Sequence, residues 1–235
     1  MTNILGKVDG MDFLNDRLNI FKDLPSDVLD TLMRACTFRE TDAGEVLFRE
    51  GDLLPFLYMV KSGQYALFKL SSAGEKRIIF TLGPGEILNY PEYRLKPASI
   101  SCHVVQKGMV CLLDQRVLQD AVRREPSLAL NIIDLYNLRM RRLYRQLKNA
   151  SGSVRLDKRI AAKLWKLSKD YPLFHPRGIA IDMKLTTTFL AELIGASRES
   201  VSRNCKVLLD RGLVVQEDGY WIVPDRRRLE HYFKS

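Results

Sequence analysis

The 235-residue sequence predicts an α+β fold in three successive parts: a double-stranded β-helix or jelly roll, one long helix, and a compact helical domain closed by a β-hairpin. Three observations carry this. From about Thr37 to Asp114, short β-rich runs alternate with glycine-containing breaks. From Ala129 to Leu147, apolar residues recur every three or four positions. Beyond a Ser/Gly-rich interruption, two helical patterns flank a Gly-containing turn, and an Asp-Gly pair stands between β-formers near the end.

The first part opens with Phe13, Leu14, Leu18, Ile20 and Phe21, whose spacing predicts a helix. Pro25 and Ser26 start a second, with Ser26 as N-cap and Val28, Leu29, Leu32 and Met33 on it. The β-rich runs are VLF (46–48), FLYMV (56–60), YALFKL (65–70), RIIFTL (77–82), SISCHVV (99–105) and MVCLL (109–113). Gly44, Gly51, Gly63, Gly74, Gly83, Gly85 and Gly108 separate them, the texture of a small sandwich, jelly roll or barrel. If Gln106-Lys107 is a two-residue hairpin turn, Cys102 faces Cys111 with Cβ atoms about 4.5–5.5 Å apart. That is near disulfide range. A thiol redox pair is one reading, and two small hydrophobes in the roll the other.

Pro126 suits the first turn of the long helix. Ala129, Ile133, Tyr136, Met140, Leu143 and Leu147 follow at alternating steps of four and three, an a/d seam over nearly three heptads. So regular a seam is expected to meet a second copy, with Ile133, Tyr136, Met140, Leu143 and Leu147 as the dimer interface. The flanking face carries Arg139, Arg141, Arg142, Arg145 and Lys148. Ala150-Ser151-Gly152-Ser153 reads as a hinge. The expected boundaries are thus 1–125 for the roll, 126–150 for the helix and 151–235 for the last domain.

Past the hinge, Ile160, Leu164 and Leu167 share one helical face, and Pro172, Pro176 and Gly178 mark a loop. Thr186 to Ile194, the turn Gly195-Ala196-Ser197 and a helix from Arg198 to about Asp210 come next. LVV (213–215), Glu217-Asp218-Gly219 and YWIV (220–223) signal a hairpin. Two short helices with a Gly in the turn, then a hairpin, read as a winged helix-turn-helix. Ser197 can cap the second helix, and Val201, Val207 and Leu208 give it a packed side. Arg198, Glu199, Ser202 and Arg203 cluster in its first two turns. Arg can donate two hydrogen bonds to guanine, Glu can accept from the cytosine amino group, and Ser can take either role. Lys206 and Thr186, Thr187 and Thr188 suit phosphates.

Charge supports double-stranded DNA as the partner. The formal net charge is +9, but residues 1–138 hold 16 Lys and Arg against 18 Asp and Glu, whereas residues 139–235 hold 21 against 10. The basic region is the one with the reading helix, as binding to a polyanion requires. Cys36, Cys102, Cys111 and Cys205 form no C-x-x-C pair, which argues against a zinc ribbon and suits reduced thiols. No P-loop or G-x-S-x-G is present, and the roll has one histidine, His103, too few for a metal-dependent barrel enzyme. No enzymatic activity, catalytic residue or metal site is expected. The acidic first thirty residues lack the apolar core of a signal peptide, and no window is long and apolar enough to span a membrane, so a cytoplasmic protein is expected.

The chain resembles the CRP/FNR transcription regulators over roughly residues 20 to 225. The likeness is densest in LTTTFLAELIGASRESVSR (185–203), with support from GEVLFREGD (44–52), Tyr58, Gly63 and RLDKRIAAKLWKL (155–167). It implies an effector-sensing β-roll, a homodimer through the long helix, and paired recognition helices on an inverted repeat. It also implies RNA polymerase as a partner. Glu199 and Arg203 would read a TGA-type half-site, with Arg198 and Ser202 tuning flanking bases.

The cyclic-nucleotide members of that family carry two Gly-Glu pairs and then Arg-Ser-Ala to hold the phosphate. Here GEILNYPEYRLKPASIS (85–101) keeps only Gly85-Glu86, with Asn89-Tyr90 and Lys96-Pro97-Ala98 at the other positions. Lys lacks the bidentate fork and Pro lacks an N–H, which argues against cyclic AMP. A divergent cassette is the alternative. No Cys precedes Cys36, which argues against an iron–sulfur cluster of the family's N-terminal type. Haem would need an axial ligand such as His103, Cys102 or Cys36. The effector stays unidentified, and Glu86, Asn89, Tyr90, Glu92 and Lys96 are its candidate contacts.

Overall fold

A computed structural model of the chain describes residues 19–150 and 154–235. Phe13, Leu14 and Leu18, and the Ser151–Ser153 part of the expected hinge, lie outside them. The chain divides into two compact units, one of residues up to 69 together with 79–144, the other of 70–78 together with 145–235.

In the first unit, a 3-10 turn (Asn19–Phe21) and helix α1 (Ser26–Arg34) precede the strands. Ser26 is the first helical residue rather than the cap; Pro25 holds that place and offers no side-chain hydrogen bond. The strands are β1 (Cys36–Thr41), β2 (Val46–Phe48), β3 (Phe56–Leu70), β4 (Lys76–Leu82) and β5 (Ser101–Asp114). They form a sheet in the order β1-β5-β3-β4, with β2 also on β5.

Two pairs of expected strands are single long ones. Gln106-Lys107 lies inside β5, and Gly63 inside β3, where the β3–β5 register shifts between Val60 and Tyr65. The glycines that resemble breaks mark a close crossing instead. A Cβ on Gly108 would stand 2.1 Å from the Ser62 carbonyl oxygen, and one on Gly63 2.7 Å from the Gly108 Cα. Glycine in a strand permits that backbone approach as readily as it permits a turn.

The same geometry overturns the redox pair. Cys102 and Cys111 lie nine positions apart on β5, and at about 3.3 Å per residue this is roughly 30 Å along the strand. A disulfide needs Cα atoms within about 7 Å. Cys102 faces Leu67 of β3, and Cys111 faces Met59. Burial pushes the Cys102 thiol up, and the Cys36 thiol beside it, with burial, pushes Cys111 up. Both are thiols rather than nucleophilic thiolates.

The two halves of the long strands serve two cores. Val60, Tyr65, Leu67, Phe80, Leu82, Leu88, Cys102 and Val104 fill the roll. Leu57, Met59, Ile87, Cys111 and Leu113 pack with Ile20, Phe21, Leu29 and Leu32 and with two further helices, α2 (Gln115–Arg124) and α3 (Pro126–Ala150). Each fully buried aliphatic or aromatic side chain contributes about 1.5–3 kcal/mol. Asp114 caps α2 by accepting the Arg116 N–H.

The second unit is built on α4 (Leu156–Asp170), whose Ile160, Ala161, Leu164 and Leu167 are buried. Pro172 to Ile181 is a hairpin rather than a loop: β6 (Pro172–His175) pairs with β7 (Gly178–Ile181), Pro172 being the first residue of an edge strand, where its missing N–H is tolerated. With β8 (Val215–Glu217) and β9 (Tyr220–Val223) the order is β6-β7-β9-β8. Asp218 and Gly219 have φ of 51° and 81°, the left-handed pair of a type I′ turn. Helices α5 (Thr187–Ile194) and α6 (Arg198–Asp210) lie between β7 and β8, and α7 (Arg226–Lys234) ends the chain. Within α4, the buried Asp157 carboxylate accepts the Tyr232 hydroxyl of α7 at 2.5 Å. It also accepts Arg155 at 2.9 Å.

Candidate nucleic-acid interface and effector region

Local chemistry sets the angle between α5 and α6. Gly195 ends α5 in the left-handed region at φ 68°, its N–H reaching the Ala191 carbonyl. Ser197 then caps α6, its hydroxyl accepting the Ser200 N–H at 3.3 Å. On the inner face of α6, Val201, Cys205 and Leu208 are buried; Val207 is only half-buried, so Cys205 holds the place the sequence reading gave to Val207. Trp221 of β9 donates its indole N–H to the Leu185 carbonyl at 2.9 Å, fixing the wing beside the start of α5.

The opposite face of α6 holds Arg198, Glu199, Ser202, Arg203 and Lys206, all exposed. Among the described residues no ion pair joins Glu199 and Arg203. Their polar ends are therefore available to an outside partner. Thr186 and Thr188 are exposed and Thr187 is half-buried. Thr186 is also the cap of α5, its hydroxyl oxygen accepting the Phe189 N–H at 3.1 Å. Its O–H remains able to donate.

Four of the five effector candidates share one small cavity, from which Glu86 is absent. Asn89 is buried, accepting the Tyr58 N–H at 2.9 Å and donating to the Phe56 carbonyl at 2.8 Å. Its amide closes the edge of β3 rather than facing a ligand. The Glu86 carboxylate accepts the Gly83 N–H at 3.0 Å and the Arg142 guanidinium of α3 at 2.7 Å. Lys96 is exposed, its N–H held by the Glu92 carboxylate at 2.8 Å. The Ala98 N–H donates to the Asp52 carbonyl and the Gly51 N–H to the Ala98 carbonyl, each at 2.8 Å. The cavity that Asn89, Tyr90, Glu92 and Lys96 line is of about 20 Å³, room for roughly one water.

A larger cleft of about 360 Å³ lies beside Tyr90, Glu92, Tyr136, Arg139, Met140 and Leu143. The Tyr90 and Tyr136 rings stack at 5.6 Å, and the Tyr136 hydroxyl donates to the Pro91 carbonyl. Burial, Glu92 and Tyr90 push the Tyr136 hydroxyl up to about 12, so it stays a neutral donor. Gln115 and Gln119 of α2 tie the same loop through the Tyr90 and Glu92 backbone.

Helix α3 differs from the sequence reading in phase. Ile133, Met140 and Leu147 are exposed, but Tyr136 and Leu143 pack on their own roll. Leu130 and Tyr144, absent from the expected seam, are 65% and 61% exposed. Arg139, read as part of the flanking face, is 5% exposed. It extends the inner stripe of Leu128, Ile132 and Leu135, and that spacing is the signal by which the sequence could have revealed it. His103 packs edge-on against Phe68 at 5.5 Å.

Comparison with known proteins agrees with this architecture. Residues 38–125 match the family model for cyclic nucleotide-binding domains, and residues 158–232 the model for Crp-like helix-turn-helix domains. The cyclic AMP receptor protein of Thermus thermophilus is 29% identical over 83% of this chain and 87% of its own. The anaerobic regulatory protein of Bacillus subtilis is 25% identical over 92% of each chain. The structure of FixK2 from Bradyrhizobium japonicum superposes with a TM-score of 0.74 at 17% identity, over 83% of this chain and 96% of that one, a likeness of fold. No helix among the described residues is long and apolar enough to cross a membrane. With both halves matched in this order, the chain belongs to the CRP/FNR family of DNA-binding transcription regulators.

Proposed function

We propose that this regulator binds DNA as a homodimer, with one α6 in each of two adjacent major grooves of an inverted repeat of TGA-type half-sites. One observation carries the reading: Arg198, Glu199, Ser202, Arg203 and Lys206 stand exposed on one face of a helix whose other face is buried. Glu199 and Arg203 contact base edges, Arg198 and Ser202 tune the flanking pairs, and Lys206 with Thr186, Thr187 and Thr188 holds phosphates. Residues 1–125 act as the sensing domain, 126–150 as the dimer helix and 151–235 as the DNA-binding domain. The partners are double-stranded DNA, a second copy of the chain and RNA polymerase, in the cytoplasm.

The roll answers to an effector other than cyclic AMP. Asn89 and Ala98 support this, because their polar groups are already paired within the chain. Relatives that share the fold are named for cyclic AMP and for anaerobic regulation, so the fold alone does not fix the signal. An effector shifts the regulator only by its difference in affinity between two arrangements.

Selection of random duplex DNA on the purified protein tests the reading. An enriched inverted repeat with half-site centres about one helical turn apart is expected; no enrichment, with or without cell extract, overturns it. The dimer has its own test. The exposed stripe of α3, with Leu130, Ile133, Met140, Tyr144 and Leu147, supports this helix as the interface. Met140→Asp puts a charge into it and is expected to sediment as a monomer; a dimer at the wild-type concentration would place the interface elsewhere.

A further inference from the structure

Among the described residues, Arg139 is a buried cation without a counter-ion. One guanidinium nitrogen donates to the Ile87 carbonyl, and the cation lies 5.0 Å over the Tyr90 ring. The other terminal nitrogen is buried and has no acceptor among the described residues. No carboxylate among the described residues pairs with it. A buried guanidinium left in this state is costly, and the cleft beside it has the volume and lining of a small-molecule site: two tyrosines, Met140, Leu143 and the opposite charges of Arg139 and Glu92.

We infer that Arg139 anchors the carboxylate of a small monocarboxylic acid, whose apolar body lies in the cleft against Tyr90, Tyr136, Met140 and Leu143. The guanidinium fork matches a carboxylate in shape and charge. Glu92 lines the same cleft, and its repulsion grows with ligand charge, so it disfavours dianions and phosphates more than a singly charged acid. The proposal deepens the reading of the roll as a sensing domain and rests on it. It also gives the signal a direct route. Arg139 belongs to α3, and Tyr136 and Arg142, three positions to either side, are bonded to Pro91 and Glu86 of the roll. An acid held at Arg139 therefore acts on the helix that carries the exposed stripe.

The test is titration calorimetry on the full chain without DNA, using acetate, hexanoate, benzoate, 4-hydroxybenzoate and phenylacetate, each beside its neutral amide. At least one acid is expected to bind, with its amide weaker by about tenfold or more, since a charge-assisted hydrogen bond is lost. A hundredfold excess over Kd should raise Tm by roughly 5 °C or more. Arg139→Lys, which keeps the charge and loses the fork, is expected to weaken the acid by about tenfold. The proposal is overturned if no acid binds at about 10 mM, if acid and amide bind alike, or if Arg139→Gln binds the acid as tightly as the wild type. Dimers that weaken in Arg139→Gln, with no acid bound by the wild type, would overturn it in favour of a carboxylate of a second copy. Should the Arg139 variants fail to fold, the acid–amide comparison on the unaltered chain decides. A failure here leaves the DNA selection unaffected, so the two readings fail separately.

Discussion

Helix α6 and the segment from Gly85 to Ala98 are both places where a family of this kind meets its ligands, yet they are built oppositely. On α6 the polar side chains point away from a buried apolar face and stand exposed. In the roll segment the buried and half-buried polar groups of three residues are paired with the chain itself: Glu86 with Gly83 and Arg142, Asn89 with Tyr58 and Phe56, Ala98 with Asp52 and Gly51. The difference teaches how to separate a reading surface from a structural one. Residue type does not do it, since Glu, Asn and Lys occur in both; what matters is whether the hydrogen-bonding capacity is met from within.

The contrast can be broken by substitution. Asn89→Ala is expected to have the largest effect, because it leaves a buried N–H and a buried carbonyl of β3 unpaired. A loss of about 2–4 kcal/mol in denaturant unfolding is expected. A variant as stable as the wild type would mean that Asn89 is not a structural tie. Arg203→Ala should do the reverse, leaving Tm unchanged while site discrimination falls by about 1–3 kcal/mol in competition binding. Retained discrimination would remove α6 as the reader. Lys96→Arg with Pro97→Ser rebuilds the Arg-Ser-Ala of a nucleotide cassette, but not its second Gly-Glu pair, and leaves the Ala98 N–H paired with Asp52. Equilibrium dialysis is expected to find no cyclic AMP bound, and measurable binding would show that the Arg-Ser-Ala side chains alone decide.

The smallest effect sharpens the picture on the DNA-binding side. Burial alone would raise the Asp157 carboxyl, but the Tyr232 hydroxyl, the Lys158 N–H and Arg155 outweigh it and hold the group below the usual carboxylate range. A depressed carboxyl contributes stability that is present above its unfolded pKa of about 3.9 and is lost as pH falls through the lower folded value. Asp157→Asn should therefore flatten the acid limb of stability below about pH 4. An unchanged acid limb would mean that another group carries it.

What was legible in the sequence was whatever depends on a few adjacent residues. The left-handed Gly195, the Ser197 cap and the Asp218-Gly219 turn each impose one conformation, and each stands where the sequence reading placed it. What was not legible depends on residues far apart. Gly63 and Gly108 carry the signature of a turn, and only their juxtaposition across two strands shows a crossing. Pro172 and Pro176 look like loop residues until β7 pairs with β9 and makes their segment an edge. Arg226-Arg227-Arg228 opens a helix held by Asp225 at its cap and Leu229 in the core, an element the sequence reading did not include. On α3, the heptad arithmetic gave a seam but not its phase, because Tyr136 and Leu143 are apolar enough to serve either side. The burial of Arg139 was missed for the same reason: charge suggested solvent, whereas position on the inner stripe dictated the core.

The glycine crossing bears on how variation in this chain should be interpreted. Gly63 and Gly108 each stand where the partner backbone leaves no room for a methyl group, and Gly63 is also at φ 83°. A replacement at either position would push β3 and β5 apart, and a second replacement opposite could not repair it, since both would add bulk. Among natural or laboratory variants these two sites should therefore be as invariant as any DNA-reading arginine, with neither touching a ligand or a base. Tolerance maps of the roll will consequently show a pair of silent-looking residues under the strictest constraint, imposed by the thickness of two backbones alone.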